Sequence, residues 1–393
     1  MDQRLDTIPA LATGLAVRVA SRRDVARLPQ WQTAFAGERK DHRYYELLED
    51  TLTDGFAYSY LVFERGDGTS LAIQPFFVID QDLLAGTTGA ARRAVGAVRR
   101  LWPRFMRART LMVGCAAGEG HLDGDPATAA ATAHVLARSL TKIARAQNCA
   151  IVALKEFPAG DRAALACMRR AGYARIPSMP MTTLPLHFKD FDDYLTRTLS
   201  TNSRSTVRRK LRVAARAEPA IRMEVVVDAS GIADALYPLY EAVYERSTLK
   251  FERLTKDFLR EIGRRMPDKT RFLVWRQDER IIAFALLTVH GGDLGFDYVE
   301  FDYAVAFELH LYYRVFRDLI AWGIDNGYER FYSGSLNYDP KWHLRQSLYP
   351  IDLYVRHTSD AVNAIFRRIL PIMEPTRADP ILPNFANYRD LWD

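Results

Sequence analysis

The side chains best suited to chemistry are a block of cations near the middle of the chain and a set of carboxylates, hydroxyls and amines after it. Between Phe191 and Arg216 the sequence carries Arg197, Arg204, Arg208, Arg209, Lys210, Arg212 and Arg216, and no acidic residue occurs from Asp193 until Glu218. Ser and Thr at 200 to 206 offer N-cap oxygens. A helix here sets Arg204, Arg208, Arg212 and Arg216 along one slowly drifting stripe and turns Val207, Leu211, Ala214 and Ala215 towards the protein. Such a stripe repels itself unless an anion meets it. It therefore points to a phosphate- or carboxylate-bearing ligand; a solvated helix face is the plainer alternative.

Further on, the strand Phe296 to Asp302 alternates, so that Tyr298, Glu300 and Asp302 share one face and Asp297, Val299, Phe301 and Tyr303 the other. Carboxylates on a core strand are expensive unless paired or used, which singles out Glu300 and Asp302. In the helix expected next, Glu308 with Tyr312 and His310 with Arg314 have i,i+4 spacing, suited to a structural pair or to a contact with substrate. Tyr332, Ser333, Ser335, Asn337, Tyr338, Lys341 and His343 then make a segment dense in hydrogen-bonding groups.

Other chemistries lack their residues. There is no G-x-S-x-G elbow, no phosphate-binding Walker loop and no HxxxH or HxH metal spacing. Cys115, Cys149 and Cys167 lack CxxC spacing and read as small buried hydrophobes of a reducing, cytoplasmic compartment. No stretch approaches the ~20 apolar residues of a membrane span, so no membrane insertion is expected. With 393 residues, 48% hydrophobic and 26% charged, the chain reads as globular with two domains. Much of the net charge of +6 falls in the basic block, which favours a local anion site over a broad nucleic-acid surface.

The elements that must position these residues are written twice. The first half reads as a strand at 15–19, helical turns over 23–52, a strand pair at 57–64 and 70–79, a strand at 110–114, a long helix from Asp125-Pro126 to about 147, a strand at 150–157, a helix at 161–171 and a strand at 181–186. The second half repeats this order: basic helix, strand 222–227, helices 232–246 and 255–266, strands 270–276, 280–290 and 295–303, long helix 306–326, strand 329–333. A strand at 353–357 and a helix near 361–370 follow. The spacing sets an α/β (α+β) class, with two mixed, mostly antiparallel sheets flanked by helices. Units are expected at 1–187, 188–370 and a Pro-rich tail at 371–393, extended over the surface, with Tyr388 and Trp392 docked on the body.

The segment FDDYL…S-x-x-x-R-x-x-x-R-R-x-L-R from Phe191, and the segment from Phe307 to Lys341 with its long helix, Gly327 stop, aromatic strand and G-x-S-like turn, resemble the tandem-GNAT acyltransferases of the Fem-like and BioF2-like N-acyltransferase group. The resemblance implies two GNAT-like domains, the first degenerate, and direct acyl transfer from a thioester of CoA or a carrier protein to a small-molecule or peptidyl amine. Acyl-CoA is then a co-substrate, with no permanently bound cofactor and no metal. It also implies roles: Glu300 or Asp302 as base or ammonium anchor, Tyr332 as acid for the leaving thiol with Ser333 and Ser335 beside it, and Lys341 as oxyanion donor or acceptor-carboxylate ligand. Arg204, Arg208, Arg209 and Arg212 would hold phosphate, and Glu308, His310 and Tyr338 would line the substrate site. The usual GNAT glycine motif is missing in both halves: Gly114, Gly118 and Gly120 precede a helix start carrying Asp123 and Asp125, and Ala304 to Glu308 holds no glycine. That keeps open an aminoacyl-tRNA donor, as Fem-type relatives use, although there is no room between Arg246 and Thr270 for the helical hairpin many of them carry. A non-catalytic anion-binding module remains a third reading. Tandem halves can satisfy a GNAT dimer interface internally, so a monomer or weak dimer is expected. Replacing Arg208 and Arg212 by Ala should raise the Michaelis constant for the anionic substrate more than it lowers turnover; steady-state kinetics of the double variant checks this.

Overall fold

The computed structural model describes residues 14–82, 107–247 and 250–393. Its strands fall into two seven-stranded sheets. The first half supplies β1 (Leu15–Ala20), β2 (Ala57–Arg65), β3 (Ser70–Asp82), β4 (Arg107–Val113), β5 (Ile151–Pro158), β6 (Ala174–Pro177) and β7 (Met181–Pro185). The second supplies β8 (Ile221–Val226), β9 (Thr270–Gln277), β10 (Arg280–His290), β11 (Asp293–Phe301), β12 (Arg330–Ser333), β13 (Ser347–Tyr349) and β14 (Ile351–His357). The expected α/β class with two mixed sheets is what the chain forms.

The division expected at 187/188 does not describe the sheets, because the halves exchange a strand each. The first sheet runs β1-β2-β3-β4-β5-β14-β6 and the second β13-β7-β12-β11-β10-β9-β8. Strand β14 enters between β5 and β6, antiparallel to both, and β7 lies between β12 and β13. An alternating apolar strand carries no mark of which sheet it joins, so a linear reading assigns it to its neighbour in sequence.

Helix boundaries follow local chemistry. Asp125 caps the helix Pro126–Ala146, its carboxylate accepting from Thr128 N at 2.7 Å with Pro126 at the first position. Ser200 caps the basic helix Thr201–Ala215, which buries Val207 and Ala214 as expected but leaves Leu211 half-buried and Ala215 exposed, at the end of the helix. The long helix starts late, at Leu311 rather than 306. Asp302 Oδ1 accepts from Ala304 N at 3.0 Å, residues 302–310 form turns, and His310 takes a left-handed φ of 48° at the cap. The helical turns at 23–52 divide into Arg22–Val25, Pro29–Thr33 and His42–Thr51, and the helix at 161–171 shortens to Ala166–Arg170 after a 3-10 turn.

A shared core joins the halves. The helix His42–Thr51 packs on Lys256–Arg265, with the Tyr44 ring edge-on to Phe258 at 5.9 Å, and Trp31, Tyr44, Phe77, Phe258, Phe272 and Phe284 lie in one buried cluster. The tail is not extended. The helix Asp360–Met373 enters it, three short 3-10 turns follow, and Leu382, Phe385 and Leu391 are buried beside Tyr338 and Leu348. Arg162 donates to the carbonyls of Asp390, Leu391 and Asp393, while Tyr388 and Trp392 dock as expected.

Gly263 marks the tightest approach in the interface helix, since a Cβ there would lie 1.9 Å from the Val227 carbonyl oxygen. Gly263→Ala must displace backbone and is expected to cost about 3 kcal/mol, measured as a lowered denaturation midpoint.

Candidate active site

Each half contains two parallel strands that part company, and the two gaps differ. In the first sheet β4 and β5 pair from Thr110–Ile151 to Val113–Leu154. The glycine loop after β4 fills the opening: Gly120 N donates to Glu156 O at 3.0 Å, and Lys155 Nζ donates to Gly118 O at 3.1 Å. A Cβ on Gly120 would meet Lys155 O at 2.6 Å, so only glycine lets the loop lie this close. The first half has stitched its own gap shut.

In the second sheet β11 and β12 pair from Asp293–Arg330 to Phe296–Ser333. The contact ends at Gly334, whose N–H still reaches Phe296 O at 3.3 Å, while β11 runs on to Phe301. A bulge accompanies the parting: Leu286 pairs with Tyr298 and Leu287 with Phe296, leaving Asp297 as the extra residue. The bulge overturns the expected faces. The Asp297 carboxylate does not follow Val299 and Phe301; it lies towards the first half, accepting from Thr288 Oγ1 at 2.5 Å and pairing with Lys40 Nζ at 2.8 Å.

Behind Asp297 the halves share a closed charge cluster. Lys40 also pairs with Glu119 at 2.8 Å. Arg39 bonds Glu119, donates to Thr288 Oγ1 at 3.0 Å and lies 5.3 Å over the Tyr332 ring. Burial works against the Lys40 ammonium, but Asp297 and Glu119 outweigh it and hold the amine above its usual value. For Glu119 burial is likewise outweighed, by Lys40 and Arg39, and the carboxyl stays well below its usual range. His121 stands at the edge of the cluster; burial opposes its charge, yet Glu119 and Glu38 raise it. None of these first-half residues was legible as a site residue. Their partners lie some 80 to 250 positions away along the chain, and only the bulge brings Asp297 to them.

The expected residues distribute unevenly around the gap. Lys341 stands beside it, buried in the short helix Tyr338–His343, its amine donating to Gly334 O. With no carboxylate to offset burial, its pKa is pulled down to about 7. Tyr332 lies half-buried on the interface side, its hydroxyl raised by burial, edge-on to Tyr349 at 5.1 Å. Ser333 faces the other way, 2.9 Å from Thr182 Oγ1 and 3.4 Å from Gln346 Oε1. Gln346 Nε2 is buried without a partner among the described residues, a donor beside the gap that its sequence context does not reveal. Ser335 and Tyr338 hold the loop in place through Met179 O at 2.7 Å and Pro180 O at 2.8 Å. Glu300 is buried with Oε2 unpartnered among the described residues, and burial alone pushes its carboxyl to about 9. Asp302 is not with it: it pairs with Arg280 and caps the following turn. The i,i+4 pairs of Glu308 and His310 do not form, because these residues are in turns; Glu308 is exposed and Arg314 pairs with Asp318 at 2.7 Å.

The basic helix lies against the long helix Leu311–Asp325. Lys210 Nζ stands 3.8 Å from the Tyr313 ring centroid, and His310 is lowered first by burial and then by Lys210 and Arg209. Arg209 and Lys210 thus add charge at a helix N-terminus that already favours anions. Lys210 was absent from the expected set. Arg204 bonds Thr196 O at 2.9 Å and Arg208 makes an exposed pair with Asp192 at 3.0 Å. Arg209, Arg212 and Arg216 have no carboxylate within 4.0 Å among the described residues.

Residues 201–341, which contain the open gap and the basic helix, match the family described as acetyltransferase (GNAT) domain. The second half carries a GNAT domain. Of solved structures, FemX is similar over 84% of this chain and 94% of its own, at 10% identity and a TM-score of 0.52. L-PGS from Bacillus licheniformis is similar over 83% and 96% (13% identity, TM-score 0.48), and a tandem GNAT protein from the clavulanic acid biosynthesis pathway over 88% and 99% (12%, 0.48). The likeness to FemX is one of fold. No curated protein matches it in sequence.

Lys341 supplies a test of this geometry. Between its folded pKa of about 7 and its unfolded value of 10.5, the unfolded chain holds a proton that the folded one has lost. Stability therefore gains from Lys341 as pH rises through that window, by up to about 1.4 kcal/mol per pH unit. Urea denaturation at two pH values inside the window should show the wild type gaining on Lys341→Met as pH rises.

Proposed function

We propose that the protein is an N-acyltransferase that moves an acyl group from a thioester, of CoA or of a carrier protein, to an amine, with the reaction in the second half. The observation that carries the reading is the asymmetry of the gaps: the first is closed by its own chain, whereas the second opens beside a buried amine and a strand bulge. An acyl chain laid between β11 and β12 brings its carbonyl to residues 297 and 334. The amine nitrogen attacks the carbonyl carbon, the C–N bond forms, and the oxygen takes the negative charge. Lys341 Nζ, protonated as that charge develops, stabilises it. The C–S bond then breaks, the proton shed by nitrogen passes to water, and Tyr332 protonates the thiolate. Arg209, Lys210 and the long-helix N-terminus suit the donor's phosphate.

A second reading, transfer from aminoacyl-tRNA, is favoured by the exposed cations of the basic helix, which continue past the helix junction to Arg212 and Arg216. The two readings separate in a thermal-shift series with CoA, acetyl-CoA, long-chain acyl-CoAs and aminoacyl-tRNA. A donor at ~100 times its dissociation constant adds about 2.7 kcal/mol. We expect an acyl-CoA to stabilise the protein and Arg209→Ala/Lys210→Ala to reduce that shift; stabilisation by tRNA alone, steeply lost with salt, would replace the thioester by aminoacyl-tRNA.

A further inference from the structure

Glu300 lies among tyrosines. It is 3% exposed, on β11 opposite Phe284 of β10, and its charge is felt by Tyr240 and Tyr303. Tyr237, Tyr240 and Tyr244 stack in succession along the helix Ala233–Arg246, at 5.9 and 6.0 Å, and Tyr298 meets Tyr240 edge-on at 6.2 Å. Two of the hydroxyls are engaged elsewhere: Tyr298 donates to Glu252 Oε1 at 3.1 Å, and Tyr240 accepts from Leu254 N at 2.8 Å. Neither satisfies Glu300. Tyr244 and Tyr303 are partly exposed and form the rim, and their ring faces already attract cations, Lys250 at 4.9 Å over Tyr244 and Arg246 at 4.1 Å over Tyr303.

A carboxyl buried without a partner is a standing cost unless something uses it. Aromatic faces around a carboxyl are the composition of an ammonium site, where the ring quadrupoles and one negative charge replace the water a cation loses. Glu300 stands three residues beyond the bulge, about 10 Å along the strand, so the nitrogen it holds is not the one that attacks at the gap. We propose that Glu300 and the tyrosines around it bind a second, cationic nitrogen of the acceptor, which makes the acceptor a diamine or polyamine. This rests on the acyl-transfer reading for the position of the first nitrogen.

The carboxyl is protonated at neutral pH, since burial holds it at about 9, and pairing with an ammonium ionises it. Binding must then release a proton. The other titratable groups facing it, Tyr240 and Tyr303, are themselves raised by burial and stay protonated.

The test is calorimetric titration of the full chain at neutral pH with 1,6-diaminohexane, 1-aminohexane and tetramethylammonium, in two buffers of different ionisation heat. The expected result is diamine binding with close to one proton released, 1-aminohexane at least tenfold weaker, and both affinity and proton release lost in Glu300→Gln. Tyr303→Leu should weaken the diamine without changing the proton count. Equal binding of diamine and monoamine, or binding without proton release in the wild type, would overturn the subsite. Diamine binding with proton release but no acyl transfer from any donor would keep the subsite and remove the transfer reading; transfer to 1-aminohexane as readily as to the diamine would do the reverse.

Discussion

Arg39, Lys40, Glu119 and Asp297 meet where the two halves join, each nearly shut away from water, and their ion pairs join residues distant in sequence. Such a group costs much to desolvate and returns that cost only when every partner is present; removing one leaves a stranded charge worth about 3–5 kcal/mol. The relative placement of the halves is therefore coupled to one strand irregularity. Without the bulge at Asp297 its carboxylate would point into the opposite core, and Lys40 and Arg39 would share Glu119 alone. The same bulge sits where β11 and β12 separate, so the interface and the open gap depend on the same few peptide units.

The two sheets show what happens to one architecture used twice. In the first, a loop whose Gly114, Gly118 and Gly120 permit close backbone approach lies over Lys155 and Glu156 and fills the space between parting strands. In the second, Gly334 makes the last bond to β11, at Phe296, and β11 runs on to Phe301 without β12 beside it. The exchange of β7 and β14 ties the halves further, since neither sheet is complete without a strand from the other end of the chain.

Around the open gap, burial sets the protonation states. Lys341 and Glu300 carry no opposing charge, so one is drawn down and the other pushed up until both stand near neutrality. Lys40 and Glu119 are as deeply buried but paired, and they stay charged. Unpaired groups that can change charge lie around the gap, and locked pairs lie in the interface behind it.

Much was legible in the sequence because it is local. The 3.6 and 2 periodicities, the Asp125-Pro126 cap, the capped basic helix and the twofold order of elements each depend on neighbours within a few residues, as did the singling out of Glu300 as a carboxyl on a core strand; Lys341 was singled out by the resemblance of its segment to the family's. Asp302, Glu308 and the start of the long helix were misplaced because one turn, closed by the Asp302 side chain itself, replaced a helical turn. Tertiary structure alone decided which sheet took β7 and β14, which face Asp297 chose, which half kept its gap open, and that Arg39, Lys40, Glu119 and Gln346 belong near the site. Each of these rests on contacts between segments far apart in the chain, and residue type and spacing carry no record of such contacts.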